Sequence, residues 1–476
     1  MTKQEAVIKY IEDNYLQFNR LRHDVVSDKL QVRVAHRLSA PHNATSVIGA
    51  PAEDAALSGY SLEFKGGEYW REMTKHDINS IVCHCAQECN ANITSREVMT
   101  ALQSDLIPDV HPLREYILSL PPFTPDQPDW IDFVASQVRV RTNNNEDTLI
   151  QQPKQQITNN IPLANTASGE GNNSIPSATE PSEPLTSGSN ADALWRACFK
   201  KWFVAMVASW MKDEVVNHQV LVLIGKQGIY KTTWLEHLIP PHLRAYACKL
   251  ANSSDLNKDE RLRIAEFGLI SLDEIDSMNS RELNQLKSII TASDVNERAA
   301  YAYTKERRVR LASFCASGNR RDFLTDITGN RRWLPFEVES IQSPFTTILP
   351  YERMYAQAWA LAQDPFFSYW FDLDEIEVLE QHNQHFRDES NEEQLLPILF
   401  DVPAEGKGEF LTTAQISERL ITYGNIKKPM ALSRLGMLLG AHGFQKKTIG
   451  VQRLRGWLVY QRSMDEINAN KRLYAK

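Results

Sequence analysis

A short apolar run followed directly by a glycine-containing loop is the feature that most constrains how this chain can fold. The run, Val220–Ile224, is wholly apolar, as a buried parallel strand requires. It leads into residues 225–232 (GKQGIYKT), and a helical pattern begins at Thr233. Backbone N–H groups of such a loop, together with the helix N-terminus, can surround phosphate groups. The sequence therefore predicts a strand, a phosphate-binding loop and a helix. A strand–turn–helix that binds no nucleotide is the alternative.

Within this loop, Lys231 is expected to reach the outer phosphates and the Thr232 hydroxyl to ligate Mg²⁺. Tyr230 stands where the pattern has glycine. That position usually has a positive φ, which costs a bulky residue about 1–3 kcal/mol, and the ring could crowd the path of the phosphates. The predicted cofactor-binding residues are Gly225, Lys226, Gln227, Gly228, Ile229, Tyr230, Lys231, Thr232 and Thr233.

Two carboxylates follow the next apolar run of this region. Residues 267–272 (FGLISL) read as a strand, and Asp273 and Glu274 come directly after it. The first acid can hold Mg²⁺ together with Thr232, and the second can orient and deprotonate an attacking water. An apolar run that ends in Asp-Glu is common, but after a phosphate-binding loop it indicates phosphoryl transfer.

A third apolar strand ends in a polar side chain, and an arginine pair follows it. Residues 311–317 lead to Asn319, which could hold the nucleophilic water or the γ-phosphate. Arg331 and Arg332 are adjacent, so both cannot belong to the core, and one could stabilise the charge of a transition state. Ordinary surface ion pairs are the alternative for either arginine.

Composition divides the chain into domains. Residues 141–192 are rich in Asn, Gln, Ser, Thr, Pro and Gly and contain no aromatic residue, which predicts a disordered linker. The predicted units are an N-terminal, mostly helical module at 1–140 (loose at 35–67), the linker at 141–192, an α/β P-loop ATPase core at 193–345, a helical region at 346–400 and a basic domain at 401–476.

The basic domain has a distinct charge and element order. From Lys407 to Lys476 the chain has 13 Lys/Arg and 4 Asp/Glu, a local net charge of +9, although the whole chain has −8. Two helical patterns and a β-like return follow one another, which is the order of a winged helix. This asymmetry favours an anionic partner, and a solvated basic face is the alternative.

Taken together, these motifs resemble those of the virulence-associated protein E family of P-loop ATPases. This family is related to superfamily 3 helicases and is found on bacterial mobile elements and prophages. The pattern of this chain resembles that of members from Bacteroidetes. The resemblance covers roughly residues 74–120 and 194–460. The motifs that carry it are residues 111–116 (HPLREY), 214–218 (EVVNH), 220–234, 270–274 (ISLDE), 312–319 (ASFCASGN), 322–326 (DFLTD), 328–332 (TGNRR), 410–413 (FLTT) and 442–444 (HGF).

The resemblance implies an AAA+-like core that uses ATP and Mg²⁺. It assigns Lys231 to phosphate, Asp273 and Glu274 to the acidic pair, Asn319 to the first sensor and Arg331 or Arg332 to an arginine finger. A finger of this kind reaches the nucleotide of the neighbouring subunit, so a homo-oligomeric ring, a hexamer, is expected. The chain departs from the family at Tyr230, where members have glycine.

The segment between the acidic pair and the third strand is the predicted nucleic-acid contact. In superfamily 3 helicases this interval holds a hairpin that projects into the ring channel, and basic groups beside aromatic faces suit a phosphate backbone with stackable bases. A charged strand with two half-buried tyrosines is the alternative. The predicted contacts are Arg298, Tyr301, Tyr303, Lys305, Arg307, Arg308 and Arg310.

The remaining features limit the functional class. No stretch approaches the roughly 18 apolar residues of a membrane span, and 6 cysteines in 476 residues suit a reducing bacterial cytoplasm. The expected function is an ATP-dependent, helicase-like ATPase that acts as a ring on single- or double-stranded DNA of a mobile element. A nucleotide-binding but hydrolysis-impaired DNA-binding scaffold, marked by Tyr230, and a DNA-binding module alone are the alternatives.

Overall fold

The computed structural model describes residues 2–35, 68–89, 92–141, 191–250, 258–297, 306–325, 330–404, 408–449 and 453–468. Its N-terminal part, which the sequence predicts to be mostly helical, contains helices and a four-stranded sheet in the order β3-β2-β1-β4. The elements are α1 (Lys3–Ile11), β1 (Leu21–Asp24), β2 (Lys29–Ala35), β3 (Glu68–Glu72), α2 (Lys75–Cys89), α3 (Ser95–Leu102), β4 (Asp109–Val110), α4 (Pro112–Ser119), α5 (Trp130–Ala135) and β5 (Val138–Val140).

Local sequence signals account for several of these elements. The Thr94 side chain accepts from the backbone N–H of Glu97, and the Glu97 side chain accepts from the backbone N–H of Thr94, a capping box that begins α3. The hairpin of β1 and β2 pairs Asp24 with Lys29. The carboxylate of Asp24 accepts the backbone N–H of Val26, which closes the turn.

The central unit is a six-stranded sheet in the order β5-β12-β6-β11-β8-β7. All its strand pairs are parallel except β5 with β12. The elements of this part are α6 (Ala191–Met211), β6 (Val220–Ile224), α7 (Lys231–His237), β7 (Ala247–Leu250), α8 (Lys258–Glu266), β8 (Leu269–Leu272), α9 (Ser280–Thr291), β9 (Asp294–Glu297), β10 (Glu306–Val309), β11 (Ser313–Gly318) and β12 (Trp333–Ile341). Every residue of β6, β8 and β11 is buried.

Register brings the carboxyl ends of three strands to one edge. Ile224, the last residue of β6, pairs with Gly318 of β11. Leu272, the last residue of β8, pairs with Ala316 of β11. Polar residues that follow β6, β8 and β11 in the sequence therefore meet at one edge of the sheet, where α/β proteins bind ligands.

Helix α6 covers one face of this sheet with a row of buried aromatic side chains. Trp195, Trp202 and Trp210 are fully buried. Each indole N–H donates to a backbone carbonyl, those of Ala135, Phe314 and Gly268 respectively. Because buried indoles need a hydrogen-bond partner, these contacts help to hold α6 against α5 and the sheet.

The C-terminal part contains a further four-stranded sheet. Its elements are α10 (Tyr351–Gln363), α11 (Leu373–Gln384), α12 (Asn391–Leu399), β13 (Phe400–Asp401), β14 (Glu409–Leu411), α13 (Thr413–Gly424), α14 (Leu432–Ala441), β15 (Gln445–Ile449) and β16 (Leu454–Gln461). Strand β16 lies between β13 and β14 and also pairs with β15. Apolar residues of α12, α13, α14 and β16 form one core beneath this sheet. In the described part of the chain, no helix is long and apolar enough to cross a membrane.

Candidate functional site

The predicted phosphate-binding loop joins β6 directly to α7, and backbone geometry explains its glycines. A Cβ on Gly225 would lie 2.7 Å from the carbonyl oxygen of Val338, so only glycine fits beside β12 there. Gly228 has a φ of +84°, a conformation that side chains disfavour. The loop therefore has a specific conformation that its glycines permit.

Tyr230 has the strained conformation that the sequence predicts for it. It precedes α7 with φ 67° and ψ 16°, in the left-handed region. Tyr230 is 42% exposed. Its ring lies edge-on to Phe345, with the ring centroids 6.1 Å apart. Phe345 in turn lies edge-on to His237 of α7. The ring thus has an aromatic partner beside the loop, which helps to hold the unfavourable backbone conformation.

Lys231 is bound by oxygen atoms from two parts of the sheet edge. Its ammonium group donates to the carbonyl oxygens of Gly225 at 2.8 Å and Lys226 at 2.7 Å. It also donates to Oδ1 of Asn319 at 3.3 Å. Burial lowers the pKa of Lys231, and the nearby Asp276 and Asp273 oppose that effect. The lysine thus links the loop after β6 to the predicted sensor after β11.

Asp273 is the centre of a second group of contacts. Its Oδ1 accepts hydrogen bonds from the hydroxyls of Ser317 at 2.7 Å and Thr232 at 3.2 Å. The hydroxyl oxygens of Thr232 and Ser317 lie 2.9 Å apart. Burial opposes ionisation of Asp273, but hydrogen bonds from Lys249, Ser317 and Thr232 outweigh burial and lower its pKa.

These oxygen atoms fit the requirements of a magnesium site. Carboxylate and hydroxyl oxygens are hard ligands, and Mg²⁺ bound with a nucleotide usually takes only one or two carboxylates from the protein. Thr232 and Asp273 were the predicted metal ligands, and the structure places their oxygens in contact. Sequence reasoning missed Ser317, although a polar residue near the end of the buried strand β11 was a signal for it.

Sequence reasoning also missed Lys249, on the edge strand β7. Its ammonium nitrogen lies 2.8 Å from Oδ2 of Asp273. The hydrogen bond to Asp273 raises the pKa of Lys249. No motif marks this lysine, because its relation to Asp273 arises only from the pairing of β7 with β8.

Glu274 and Asn319 lie next to these contacts. Glu274 directly follows Asp273, is exposed and has a φ of 52°. The carboxylate of Asp276 accepts the backbone N–H groups of Asn319 and Arg320, each at 3.1 Å. This contact fixes the start of the loop after β11 and so positions Asn319 near Lys231.

Arg331 and Arg332 lie at the opposite edge of the sheet. They immediately precede β12, whose first residue, Trp333, pairs with Val220, the first residue of β6. At about 3.3 Å per residue, the length of β6 separates this edge from the phosphate-binding loop by roughly 15 Å. Arg331 is exposed and Arg332 is partly buried. Neither side chain can therefore reach the loop of its own chain.

The two ends of the predicted nucleic-acid segment are strands β9 and β10, which pair antiparallel as a hairpin. Arg307 has a side chain 76% exposed and an ion pair with Asp294 at 2.7 Å. Arg308 is only 18% exposed and forms an ion pair with Asp28 of the N-terminal part at 2.8 Å. Four predicted contacts lie outside the described residues: Arg298, Tyr301, Tyr303 and Lys305.

The prediction that Arg310 contacts nucleic acid is wrong. Arg310 is 1% exposed, and its guanidinium donates to the backbone carbonyls of Ala312 at 3.0 Å and Asn217 at 2.9 Å. It also donates to the carbonyl of Ile290. A basic residue within a basic run looks like part of a charged surface, but here the chain turns inward and the side chain replaces missing backbone donors.

Replacing Arg310 with leucine is therefore expected to destabilise the protein. The carbonyls of Ala312, Asn217 and Ile290 would lose their donor within the core, at about 1–3 kcal/mol for each group left unpaired. We expect a loss of about 3 kcal/mol or more, measured as a lower midpoint of urea unfolding. Arg307→Leu is the matched control and should change stability by about 0.5 kcal/mol or less. Equal midpoints for the two variants would contradict the structural role of Arg310.

A protein-family model matches the part of the chain that contains the contacts at the carboxyl edge of the sheet. Residues 182–394 match the family model described as the virulence-associated protein E-like domain. The matched range is less than half of the 476 residues, and it contains the predicted phosphate-binding loop, Asp273, Asn319 and Arg331. No curated protein shows significant similarity to the chain.

Solved structures give weaker likenesses. The apo structure of the NrS-1 C-terminal region has 9% identity and a TM-score of 0.40, with 96% of this chain and 100% of that chain covered. The A form apo structure of the same region has 9% identity and a TM-score of 0.38, with the same coverage. A further A form apo structure has 10% identity and a TM-score of 0.37, with 94% and 98% covered. Identity this low says nothing of a shared activity.

Proposed function

We propose that this chain is a P-loop ATPase with an AAA+-like core that acts on the DNA of a mobile element. One observation carries the proposal. Lys231, Thr232, Asp273 and Asn319 are separated by up to 88 residues in sequence, yet their polar atoms form two adjacent groups of contacts, Lys231 with Asn319 and Thr232 with Asp273, at the carboxyl edge of β6, β8 and β11. The match of residues 182–394 to the virulence-associated protein E-like domain supports the same reading.

The proposed roles follow from these contacts. Lys231, which donates to three oxygens in the structure, would donate to phosphate oxygens when ATP binds. Thr232 and Asp273 would hold Mg²⁺. When bound, Mg²⁺ would supply positive charge that offsets the negative charge of the phosphates. Glu274 would orient and deprotonate the attacking water, and Asn319 would position that water or the γ-phosphate.

Assembly into a ring is part of the proposal. Arg331 lies at the amino edge of the sheet, roughly 15 Å from the loop of its own chain. At this distance Arg331 could act on a bound nucleotide only if a neighbouring subunit holds that nucleotide. We therefore propose a closed homo-oligomeric ring, a hexamer, in which each active site is completed by Arg331 of the next subunit.

Contact with DNA is proposed for two basic regions. The exposed Arg307 at the base of the β9–β10 hairpin suits a single strand within the ring. In the C-terminal part, the order of α13, α14, β15 and β16 suits a winged helix. Lys446, Lys447, Arg453 and Arg455 of its hairpin are exposed basic residues. Their charges suit the phosphates of duplex DNA.

One observation favours a second function. Tyr230, with its φ of 67°, places a strained and bulky residue next to the lysine that would bind phosphate. If the side chain of Tyr230 restricts turnover, the protein would bind nucleotide and DNA as a scaffold or regulator with little hydrolysis.

A steady-state ATPase assay with and without single-stranded DNA separates these functions. We expect Mg²⁺-dependent hydrolysis that single-stranded DNA accelerates, because the hairpin and the active sites belong to the same ring. ATP binding without turnover, with or without DNA, would replace the proposed ATPase by the scaffold. DNA binding without any ATP binding would leave only a DNA-binding module. Arg307→Glu should reduce the stimulation and lower the salt dependence of single-strand binding.

A further inference from the structure

Lys249 makes the contact with Asp273 that no sequence motif indicates. The two oxygens of the Asp273 carboxylate have different partners. Its Oδ1 faces the hydroxyls of Thr232 and Ser317, and its Oδ2 faces the Lys249 ammonium at 2.8 Å. The amine therefore supplies a positive charge to the same carboxylate that the proposed function gives to magnesium.

A second carboxylate lies within reach of the same amine. Oε1 of Glu236 is 3.8 Å from the Lys249 nitrogen. Glu236 belongs to α7, the helix that begins with Lys231 and Thr232. The side chains of Lys249 and Glu236 are 45% and 44% exposed, whereas that of Asp273 is 28% exposed. Lys249 can thus turn from Asp273 to Glu236 by rotation of its own side chain, with no movement of the backbone.

We propose that Lys249 is an internal counter-ion of Asp273, which competes with magnesium and moves to Glu236 when the magnesium–nucleotide complex binds. This inference rests on the proposed function. Two cations next to one carboxylate repel each other, so the ammonium has to withdraw when a divalent ion binds there. Lys249 is thus a positioning residue that sets the magnesium requirement of the site, and Glu236 is its second partner.

The two partners are expected to act with opposite signs. Lys249→Met removes the competitor, so half-saturation should occur at a Mg²⁺ concentration about two- to fivefold lower, the range expected for a partly exposed ion pair. Glu236→Gln removes the second partner of Lys249. The amine then leaves Asp273 less readily, and half-saturation should require a similarly higher concentration of Mg²⁺. Lys249→Arg keeps the charge and should remain within about twofold of the wild type.

The double variant makes the test specific. If Glu236 acts only through Lys249, then Glu236→Gln has no further effect in the Lys249→Met background. A role of Glu236 in merely attracting Mg²⁺ would persist in that background and would overturn the proposed coupling. Because Glu236 is nearly half exposed, its variant also keeps the test valid if Lys249→Met folds poorly.

The experiment is a Mg²⁺ titration of the full chain at a fixed concentration of a slowly hydrolysed ATP analogue, followed by calorimetry and by the thermal unfolding temperature. The expected result is a lower half-saturation for Lys249→Met, a higher one for Glu236→Gln and no effect of Glu236→Gln in the double variant. Saturable binding of the analogue in Lys249→Met with an unchanged or higher Mg²⁺ concentration at half-saturation would overturn the inference and leave the proposed function standing. Absence of analogue binding in the wild type would instead overturn the proposed function, and this inference with it.

Discussion

The Arg331→Ala variant is expected to bind ATP with nearly normal affinity and to hydrolyse it about 10³-fold more slowly, the scale reported for an arginine supplied by a neighbouring chain. The reason is positional. Arg331 is exposed at the amino edge of the sheet, and β6 separates it from the loop of its own chain by roughly 15 Å. Removal of its charge leaves the contacts of Lys231 and Asp273 intact. The measurement is turnover per chain beside the dissociation constant of ATP.

Mixing two inactive variants tests whether the arginine acts between chains. Arg331→Ala retains Lys231, and Lys231→Ala retains Arg331. A mixed ring therefore has interfaces that pair an intact loop with an intact arginine, and partial activity should return. Arg332→Ala is the matched control, since Arg332 is partly buried and is expected to contribute less to turnover. A protein that stays monomeric by light scattering with analogue and DNA, yet keeps its turnover per chain on dilution, would exclude the ring.

The strands of the central sheet could be predicted from sequence because they are buried on both faces. The run 220–224 has no polar residue, and the structure has β6 at Val220–Ile224. Asp273 and Asn319 could be identified because each follows such a run, and parallel strands end at a common edge. A local apolar pattern was thus sufficient to predict these strands, because both faces of a parallel sheet are buried.

Other features depend on contacts that no local pattern encodes. Lys249 meets Asp273 only because β7 pairs with β8. Arg310 lies in a basic run but is buried beneath the carbonyls of Asn217 and Ala312. Lys249 and Arg310 each contact a residue that is distant in sequence, Asp273 and Asn217 respectively. Residue type alone therefore does not determine what these side chains contact.

Loss of Lys231 is the second large effect that we expect. Its ammonium group is 2.7–2.8 Å from two carbonyl oxygens of the loop and 3.3 Å from Oδ1 of Asn319. No other described contact joins the loop to the predicted sensor through a charged group. Lys231→Ala removes both this link and the charge that would face the phosphates, and ATP affinity should fall by about 10²-fold or more, as for a charged group truncated within a buried pair.

The most direct test of the central claim is calorimetric titration of Mg²⁺–ATP analogue into the wild type, Lys231→Ala and a surface control, Lys9→Ala in α1, where the lysine is exposed. The account predicts one saturable site per chain in the wild type and in Lys9→Ala, and binding weakened by about 10²-fold or more in Lys231→Ala at a temperature below its unfolding transition. Equal affinity in all three proteins would contradict the account, because the nucleotide would then bind somewhere other than the loop that Gly225 begins.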